Sequence, residues 1–208
     1  RGKSRSRDIS EIIQDIRFAI KGGTKEVVLT AVHLGSWGHD LGRNQDLEDL
    51  IRVILFETDI PRLRLSSIEP WDLEPSFFDL WSDSRMCRHL HLPLQSGSAG
   101  TLKPMARKIT PESYANLVMN ARQAIPGVAV TTDLITGFPG ESEDEFNESR
   151  DYVKQIEFSG GHVFSYSARP GTMAASMPDQ VPYQLRKNRN ADLRKLLDKS
   201  RQEFEMQC

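Results

Sequence analysis

The sequence predicts an α/β protein, a partial parallel (β/α)6 TIM-like barrel, on two observations. Short runs rich in valine, leucine and isoleucine alternate with amphipathic stretches along the 208-residue chain, which is typical of parallel strands joined by right-handed helical crossovers. The ends of these runs are polar and glycine-rich, and parallel α/β folds bind ligands at the carboxyl ends of their strands. No Gly-x-Gly-x-x-Gly motif or P-loop follows the first strand, so a doubly wound nucleotide-binding fold is not favoured.

Residues 8–70 contain two predicted helices and two predicted strands. Asp8 and Glu11 have the spacing of a capping box, and Gly22-Gly23 ends the helix that they begin. A strand at residues 27–29 leads into a glycine-rich loop, and a second strand at residues 63–68 ends at Glu69-Pro70. Between them an apolar stripe predicts a helix; it consists of Leu47, Leu50, Ile51, Ile54 and Leu55.

The alternation continues from residue 77 to residue 206. A short helix at residues 77–81 precedes a third strand at residues 89–94, and Pro111 occupies the first position of the next helix. Ser142 and Glu145 form another capping box. The remaining predicted elements are a fourth strand at residues 128–135, a fifth at 162–166 and a charged helix at 183–206. Five strands are too few for a full eight-stranded barrel, which takes ~250 residues, so we expect an incomplete one.

Composition excludes several classes of protein. The net charge of −2 is less basic than that of most nucleic-acid-binding domains, and the one basic stretch is residues 1–7. Neither a signal peptide nor an apolar run of membrane-spanning length is present. The two cysteines, Cys87 and Cys208, lack the spacing of a metal site or of a disulfide scaffold. This is compatible with a reducing compartment, so we expect a cytoplasmic protein. Because the chain starts at Arg1 and a helical pattern runs to its end, we expect the start to be cut and the end to be cut or only partly ordered.

The polar strand ends supply candidate ligand-binding groups. Gln95 offers a donor and an acceptor to a ribose, Arg107 matches a carboxylate, and Asp133 can accept from an ammonium or a hydroxyl. Gly137 and other glycines at these ends allow close backbone approach, although a simple turn explains each one separately. On the third strand, His89 and His91 share the face of Gln95. They are either hydrogen-bonded histidines of the barrel interior or, as a second alternative, metal ligands.

These strand ends resemble the methylthiotransferase branch of the radical S-adenosylmethionine (radical SAM) superfamily. The resemblance runs through nearly the whole chain, for example in "CRHLHLPLQSGSAGTLKPMARKIT" at 87–110 and "VAVTTDLITGFPGESEDEF" at 128–146. The segments "TAVHLGSWG" at 30–38 and "LSSIEP" at 65–70 resemble most the branch that acts on threonylcarbamoyl-adenosine in tRNA. The branch that acts on isopentenyl-adenosine carries a different loop at residues 31–34.

The resemblance implies a role for individual residues. Contacts with S-adenosylmethionine are implied for Gln95, Ser96, Arg107, Asp133, Gly137, Glu141, Ser67, Glu69 and Tyr166. For the substrate, we expect hydrogen-bond donors at His33, Ser36 and Arg169, because a threonylcarbamoyl group carries a carboxylate and a hydroxyl. Trp37, in the glycine-rich loop, is either a stacking platform for a base or a capping hydrophobe.

The resemblance also implies what the intact enzyme contains. The family's three cluster-binding cysteines would precede Arg1, so we expect no metal ligands and no catalytic residue in this chain, and no activity of the chain alone. We expect two [4Fe–4S] clusters in the intact enzyme, a tRNA anticodon stem-loop as substrate, an electron donor protein as partner, and no contact with DNA or membranes. The barrel would cover residues 1–177, and residues 178–208 would be a linker and helix that lead to an RNA-binding domain.

Three alternatives remain open at this level. A methylthiotransferase of the same superfamily could act on isopentenyl-adenosine in tRNA or on a ribosomal protein. A different class, a non-catalytic nucleotide-binding α/β barrel module, would share the strand ends without the cysteine motif upstream of Arg1.

Overall fold

The computed structural model describes residues 3–42 and 45–207. Their contacts divide the chain into two compact units. The first unit contains the described residues up to His91 together with Ala121–Val128, and the second contains Leu92–Asn120 and the described residues from Ala129 onward. Cys208, one of the two cysteines, lies outside the described residues.

The first unit is built on parallel strands. Its elements are α1 (Ile9–Lys21), β1 (Val27–Leu29), α2 (Leu47–Glu57), β2 (Leu63–Leu65) and β3 (His89–His91), with 3-10 helices at Leu34–Ser36, Pro70–Asp72 and Pro75–Ser82. β1 pairs with β2 in parallel, Val28 opposite Arg64. A single parallel bridge joins Ser67 to His91 beyond the end of β2. Asp8 caps α1 by accepting from the backbone N–H of Ser10.

The second unit is organised around two long parallel strands. Its elements are α3 (Ala99–Leu102), β4 (Ala129–Thr136), α5 (Glu143–Ile156), β5 (Gly160–Ser165), a 3-10 helix at Met173–Ser176 and α6 (Tyr183–Glu205), and α4 (Pro111–Ala124) begins in it. Asp133 lies opposite His162 and Thr136 opposite Ser165 in the β4–β5 register. The predicted Ser142–Glu145 capping box begins α5. Side chains of β4 alternate strictly between buried and half-buried, as the period of a strand requires.

The third predicted strand is shorter than expected, because its carboxyl half is irregular. Pro93 has no N–H to donate, so a regular ladder cannot continue through it. Around it, Leu92 N donates to Thr131 O at 2.9 Å and Leu94 N donates to the hydroxyl of Thr132 at 3.1 Å. Pairing resumes as one parallel bridge between Gln95 and Leu134. The segment after β3 therefore still reaches the carboxyl end of β4, and this places Gln95 beside that end.

Helix α6 is an integral part of the second unit. Leu193 and Leu197 are buried, Asn190 donates to Val163 O at 2.8 Å, and Ser200 donates to Phe158 O at 2.5 Å. The predicted α/β class with parallel strands is confirmed, and the proposed domain boundary after residue 177 stays a prediction. Among the described residues, no helix is both long enough and apolar enough to cross a membrane.

Candidate functional site

A cavity of about 800 Å³ lies in the second unit at the carboxyl ends of β4 and β5. Its volume is in the ~300–1,000 Å³ range of small-molecule sites. The structure brings five of the residues singled out from the sequence to its walls: Gln95, Arg107, Asp133, Tyr166 and Arg169. Apolar and soft side chains complete the lining, among them Ile135, Phe138, Phe164, Met173 and Met177.

Gln95 reaches the cavity from a constrained backbone. Its φ of +75° lies in the left-handed region, which is uncommon for a residue other than glycine. Two hydrogen bonds hold it there: Gln95 N donates to Asp133 O and Ile135 N donates to Gln95 O, both at 2.8 Å. Such strain costs ~1–3 kcal/mol and persists where the surrounding structure over-determines it, often at ligand sites.

Asp133 and Arg107 bring opposite charges to the same cavity. Asp133 projects from the half-buried face of β4, where its carboxylate oxygen lies 3.4 Å from Nδ1 of His162. Arg107 follows α3, and its backbone N–H donates to Leu102 O at 3.2 Å. His162 was not singled out from the sequence, because its proximity depends on the β4–β5 register. The cavity can thus meet a ligand that carries a carboxylate and an ammonium.

Two aromatic rings form one wall of the cavity. Phe138 and Tyr166 meet edge to face, with ring centroids 5.4 Å apart. The Tyr166 backbone N–H donates to Thr136 O at 2.9 Å, which continues the β4–β5 pairing. The Tyr166 hydroxyl is buried and has no hydrogen-bond partner within the described part of the chain. Buried hydroxyls normally have a partner, so this one is available to a ligand.

Three other predicted cofactor residues make contacts within the fold. The Ser96 hydroxyl accepts from Ser98 N at 3.2 Å, and the Gly137 N–H donates to the Glu141 carboxylate at 2.9 Å. Glu141 also pairs with the buried Arg189 at 2.6 Å. Burial raises the pKa of Glu141, while Gly137 and Arg189 oppose that rise. Arg189 was missed in the sequence, where nothing marks a pairing across 48 residues.

In the first unit, His33 and Ser36 line a separate cavity of about 660 Å³. His33 Nε2 lies 2.7 Å from the carboxylate of Asp72, and Ser36 donates to His33 O at 2.8 Å. Trp37 is buried and its indole N–H donates to Arg7 O at 3.1 Å, which favours the capping alternative. Asp72, 39 residues from His33, was not singled out from the sequence.

Ser67, Glu69 and the two histidines of β3 also belong to the first unit. Ser67 is exposed and forms an isolated parallel β-bridge with His91. The Glu69 carbonyl oxygen accepts a hydrogen bond from the backbone N–H of Asp72 at 3.0 Å. Burial and nearby Arg64 lower the pKa of His89 to about 4, so its imidazole is neutral at pH 7. Among the described residues, no group of three or more His, Cys, Asp and Glu side chains is placed to hold a metal ion.

The family model of the Radical SAM superfamily matches residues 1–153. The chain therefore belongs to the radical SAM superfamily. Solved structures agree at the level of the fold: methylornithine synthase (PylB) aligns with a TM-score of 0.64 at 17% identity, covering 96% of this chain and 56% of that one. Coproporphyrinogen III oxidase (HemN) from Escherichia coli aligns with a TM-score of 0.59 at 18% identity, covering 73% and 36%.

Curated relatives narrow the group within the superfamily to tRNA methylthiotransferases. The tRNA-2-methylthio-N(6)-dimethylallyladenosine synthase of Acetivibrio thermocellus is 40% identical over 91% of this chain and 40% of its own length. The threonylcarbamoyladenosine tRNA methylthiotransferase MtaB of Bacillus subtilis is 39% identical over 100% of this chain and 46% of its own. The resemblance to radical SAM methylthiotransferases is confirmed, and the chain spans less than half the length of these relatives.

The second-unit cavity fits S-adenosylmethionine. Gln95, Arg107 and Asp133 provide an amide, a cation and an anion, and the buried Tyr166 hydroxyl adds a polar group without a partner among the described residues. A [4Fe–4S] cluster needs three or four thiolates. The sequence has two cysteines, and Cys87 is buried with a pKa raised by burial and by Glu26. These residues do not match the ligand set of a cluster, and the expected [4Fe–4S] clusters stay a prediction.

Proposed function

We propose that this chain is the S-adenosylmethionine-binding core of a tRNA methylthiotransferase. The observation that carries the proposal is the placement of Gln95, Arg107 and Asp133 around one strand-end cavity in a member of the radical SAM superfamily. The curated relatives described above are about 40% identical to this chain over the aligned residues, and their names describe tRNA methylthiotransferases. Cytoplasmic location, a tRNA anticodon stem-loop as substrate and an electron donor protein as partner belong to the same proposal.

Each cavity residue has a proposed role that follows from its chemistry. Arg107 binds the cofactor carboxylate through a charge-assisted hydrogen bond, Gln95 binds ribose hydroxyls, and Asp133 accepts from a hydroxyl or the ammonium. Phe138 and Tyr166 supply an apolar, water-excluding wall for the purine. When bound, the cofactor would supply radical chemistry, and the residues of the cavity would supply orientation and exclusion of water.

For the substrate we propose threonylcarbamoyl-adenosine, modified at C2. This rests on the sequence segments 30–38 and 65–70 and on donors near the strand ends. His33 and Ser36 line the first-unit cavity, and Arg169 lines the second-unit cavity. A threonylcarbamoyl group needs such donors, whereas an isopentenyl group needs apolar walls. MtaB, whose name specifies threonylcarbamoyladenosine, aligns with the whole chain.

A second candidate substrate is isopentenyl-adenosine, also called dimethylallyl-adenosine. The observation in its favour is the names of several relatives, among them the enzymes of Acetivibrio thermocellus and Clostridium tetani. The second-unit cavity is also lined by the apolar side chains of Met173, Met177 and Phe164, which are compatible with an isopentenyl group.

Nucleoside mass spectrometry of tRNA from cells that lack the gene separates these candidates. We expect loss of the methylthio form of threonylcarbamoyl-adenosine and its return on complementation with the intact gene. Complementation with His33→Leu should restore less of it, while cofactor binding should be unaffected. Loss of only the isopentenyl derivative would support the second candidate, and unchanged tRNA would contradict both.

A further inference from the structure

Glu141 and Arg189 form a buried ion pair whose purpose is not explained by stability. Their side chains are 3% and 4% exposed, and Arg189 Nη1 lies 2.6 Å from Glu141 Oε1. Removing two charges from water costs several kcal/mol per ion, and an apolar pair of similar size is often as stable or more so. The pair is therefore better explained by the segment of the chain that it holds in place.

The pair closes the loop that joins β4 to α5. The Glu141 oxygen that binds Arg189 also accepts from Gly137 N at 2.9 Å, and Arg189 Nη1 donates to Glu141 O at 3.0 Å. Gly137 and Gly140 have φ values of +72° and +84°, so the loop has no regular backbone that would fix its shape. One carboxylate thus ties the two ends of residues 137–141 together, and Arg189 holds that carboxylate.

Arg189 is itself fixed from several sides. Its second nitrogen lies 2.9 Å from Glu143 in the first turn of α5, and its guanidinium carbon lies 5.1 Å from the centre of the Phe146 ring. It also projects from α6, whose residues pack on β5. Arg189 therefore fixes the loop relative to helix α6.

The loop in turn places one wall of the cofactor cavity. Phe138 lies inside it and meets Tyr166 edge to face. Helix α6 also reaches the second ring, because Arg186 donates to Tyr166 O. A Cβ on Gly137 would come within 2.0 Å of Arg186 Cγ, so α6 lies directly against the loop. Both aromatic residues of the wall are thus held from one helix.

We propose that Arg189 is a positioning residue for the cofactor cavity: through Glu141 it fixes the loop of residues 137–141 and therefore the place of Phe138. Arg189 itself is not among the residues that line the cavity. The identity of that cofactor rests on the function proposed above, but the support of the cavity wall does not. Loss of Arg189 leaves a buried carboxylate without its cation and releases the loop.

The test uses the intact protein that contains this chain, with Arg189→Met as the main variant and Arg201→Ala as its matched control. Arg201 is also on α6 and ion-paired, with Asp198 at 3.5 Å, but it is exposed. We expect Arg189→Met to raise the Kd for S-adenosylmethionine about tenfold or more and to leave the Kd for tRNA unchanged. Arg201→Ala should change neither. A general structural defect would instead reduce the binding of both S-adenosylmethionine and tRNA, in proportion to the loss of folded protein. A thermal melt measures that loss.

Two results would overturn the inference: unchanged cofactor affinity in folded Arg189→Met, or equal effects of Arg189→Met and Arg201→Ala. If Arg189→Met does not fold, the isosteric variant Glu141→Gln is tested instead, because it keeps the shape of the pair and removes the anion. It should also weaken cofactor binding selectively. Unchanged cofactor affinity in Glu141→Gln would overturn the inference. If the wild-type protein itself does not bind S-adenosylmethionine, the proposed function fails instead.

Discussion

The backbone of Gln95 is bound directly to that of Asp133: the Gln95 N–H donates to the Asp133 carbonyl at 2.8 Å while Gln95 adopts a φ of +75°. Both side chains line the same cavity. The bond and the strain occur together because Pro93 interrupts the regular ladder and Gln95 has to regain the end of β4. Backbone strain therefore accompanies the placement of an amide beside a carboxylate.

The strain at Gln95 can be measured by comparing two truncations. Gln95→Ala and Gln95→Gly both remove the amide, but only glycine adopts a positive φ without steric cost. We expect Gln95→Gly to be more stable than Gln95→Ala by about 1 kcal/mol in unfolding free energy. Both should bind S-adenosylmethionine more weakly than the wild type. Equal stability of the two variants would argue against strain, and wild-type affinity would remove Gln95 from the site.

Arg107 is expected to supply the main charge interaction with the cofactor carboxylate. Arg107→Ala in the intact protein should weaken S-adenosylmethionine binding by ~1.5–3 kcal/mol, the size of a charge-assisted hydrogen bond. Calorimetric titration measures this, and Lys108→Ala is a neighbouring control, because Lys108 is exposed and does not line the cavity. Affinity that is unchanged in Arg107→Ala would contradict the assignment.

The sequence was sufficient for those parts of the site that depend on local pattern. Apolar runs located the strands, and the rule that ligands bind at strand ends selected Gln95 and Asp133. Arg107 was selected by its match to a carboxylate and by the family resemblance, and all three residues line one cavity. Pairings between distant residues could not be obtained in this way. Glu141 with Arg189 and His33 with Asp72 depend on how helices and loops pack, which no period or spacing in the sequence encodes.

Ionised Glu26 is expected to make stability depend on pH. Hydrogen bonds from Arg64 and then Arg62, at 2.6 Å and 2.8 Å, lower its pKa from 4.5 to about 2. Because the folded state binds the proton less readily than the unfolded state, the stabilisation is complete above pH 4.5 and is lost as pH falls from 4.5 towards 2. Denaturant unfolding of wild type and Glu26→Gln should give a stability difference at pH 7 that shrinks by pH 3.

The matched control for Glu26 is Glu203→Gln. Glu203 has one exposed ion pair, with Lys199 at 3.6 Å, and such pairs contribute little to stability. This variant should stay close to the wild type at both pH values. A difference between wild type and Glu26→Gln that is constant from pH 7 to pH 3 would contradict the role of ionised Glu26.

Gly35 is expected to be required because Asp72 occupies the space where a side chain would be. A Cβ built on Gly35 would lie 2.3 Å from Asp72 Oδ2 and 2.7 Å from Asp72 Cγ, and Asp72 is the residue that holds His33. Gly35→Ala should cost ~1–3 kcal/mol of unfolding free energy, since Asp72 and its partner must move. In an Asp72→Gly background the clashing atoms are gone, so the same substitution should cost almost nothing. Denaturant unfolding of the four proteins gives the coupling energy, and an equal cost of Gly35→Ala in both backgrounds would show that Asp72 is not the obstacle.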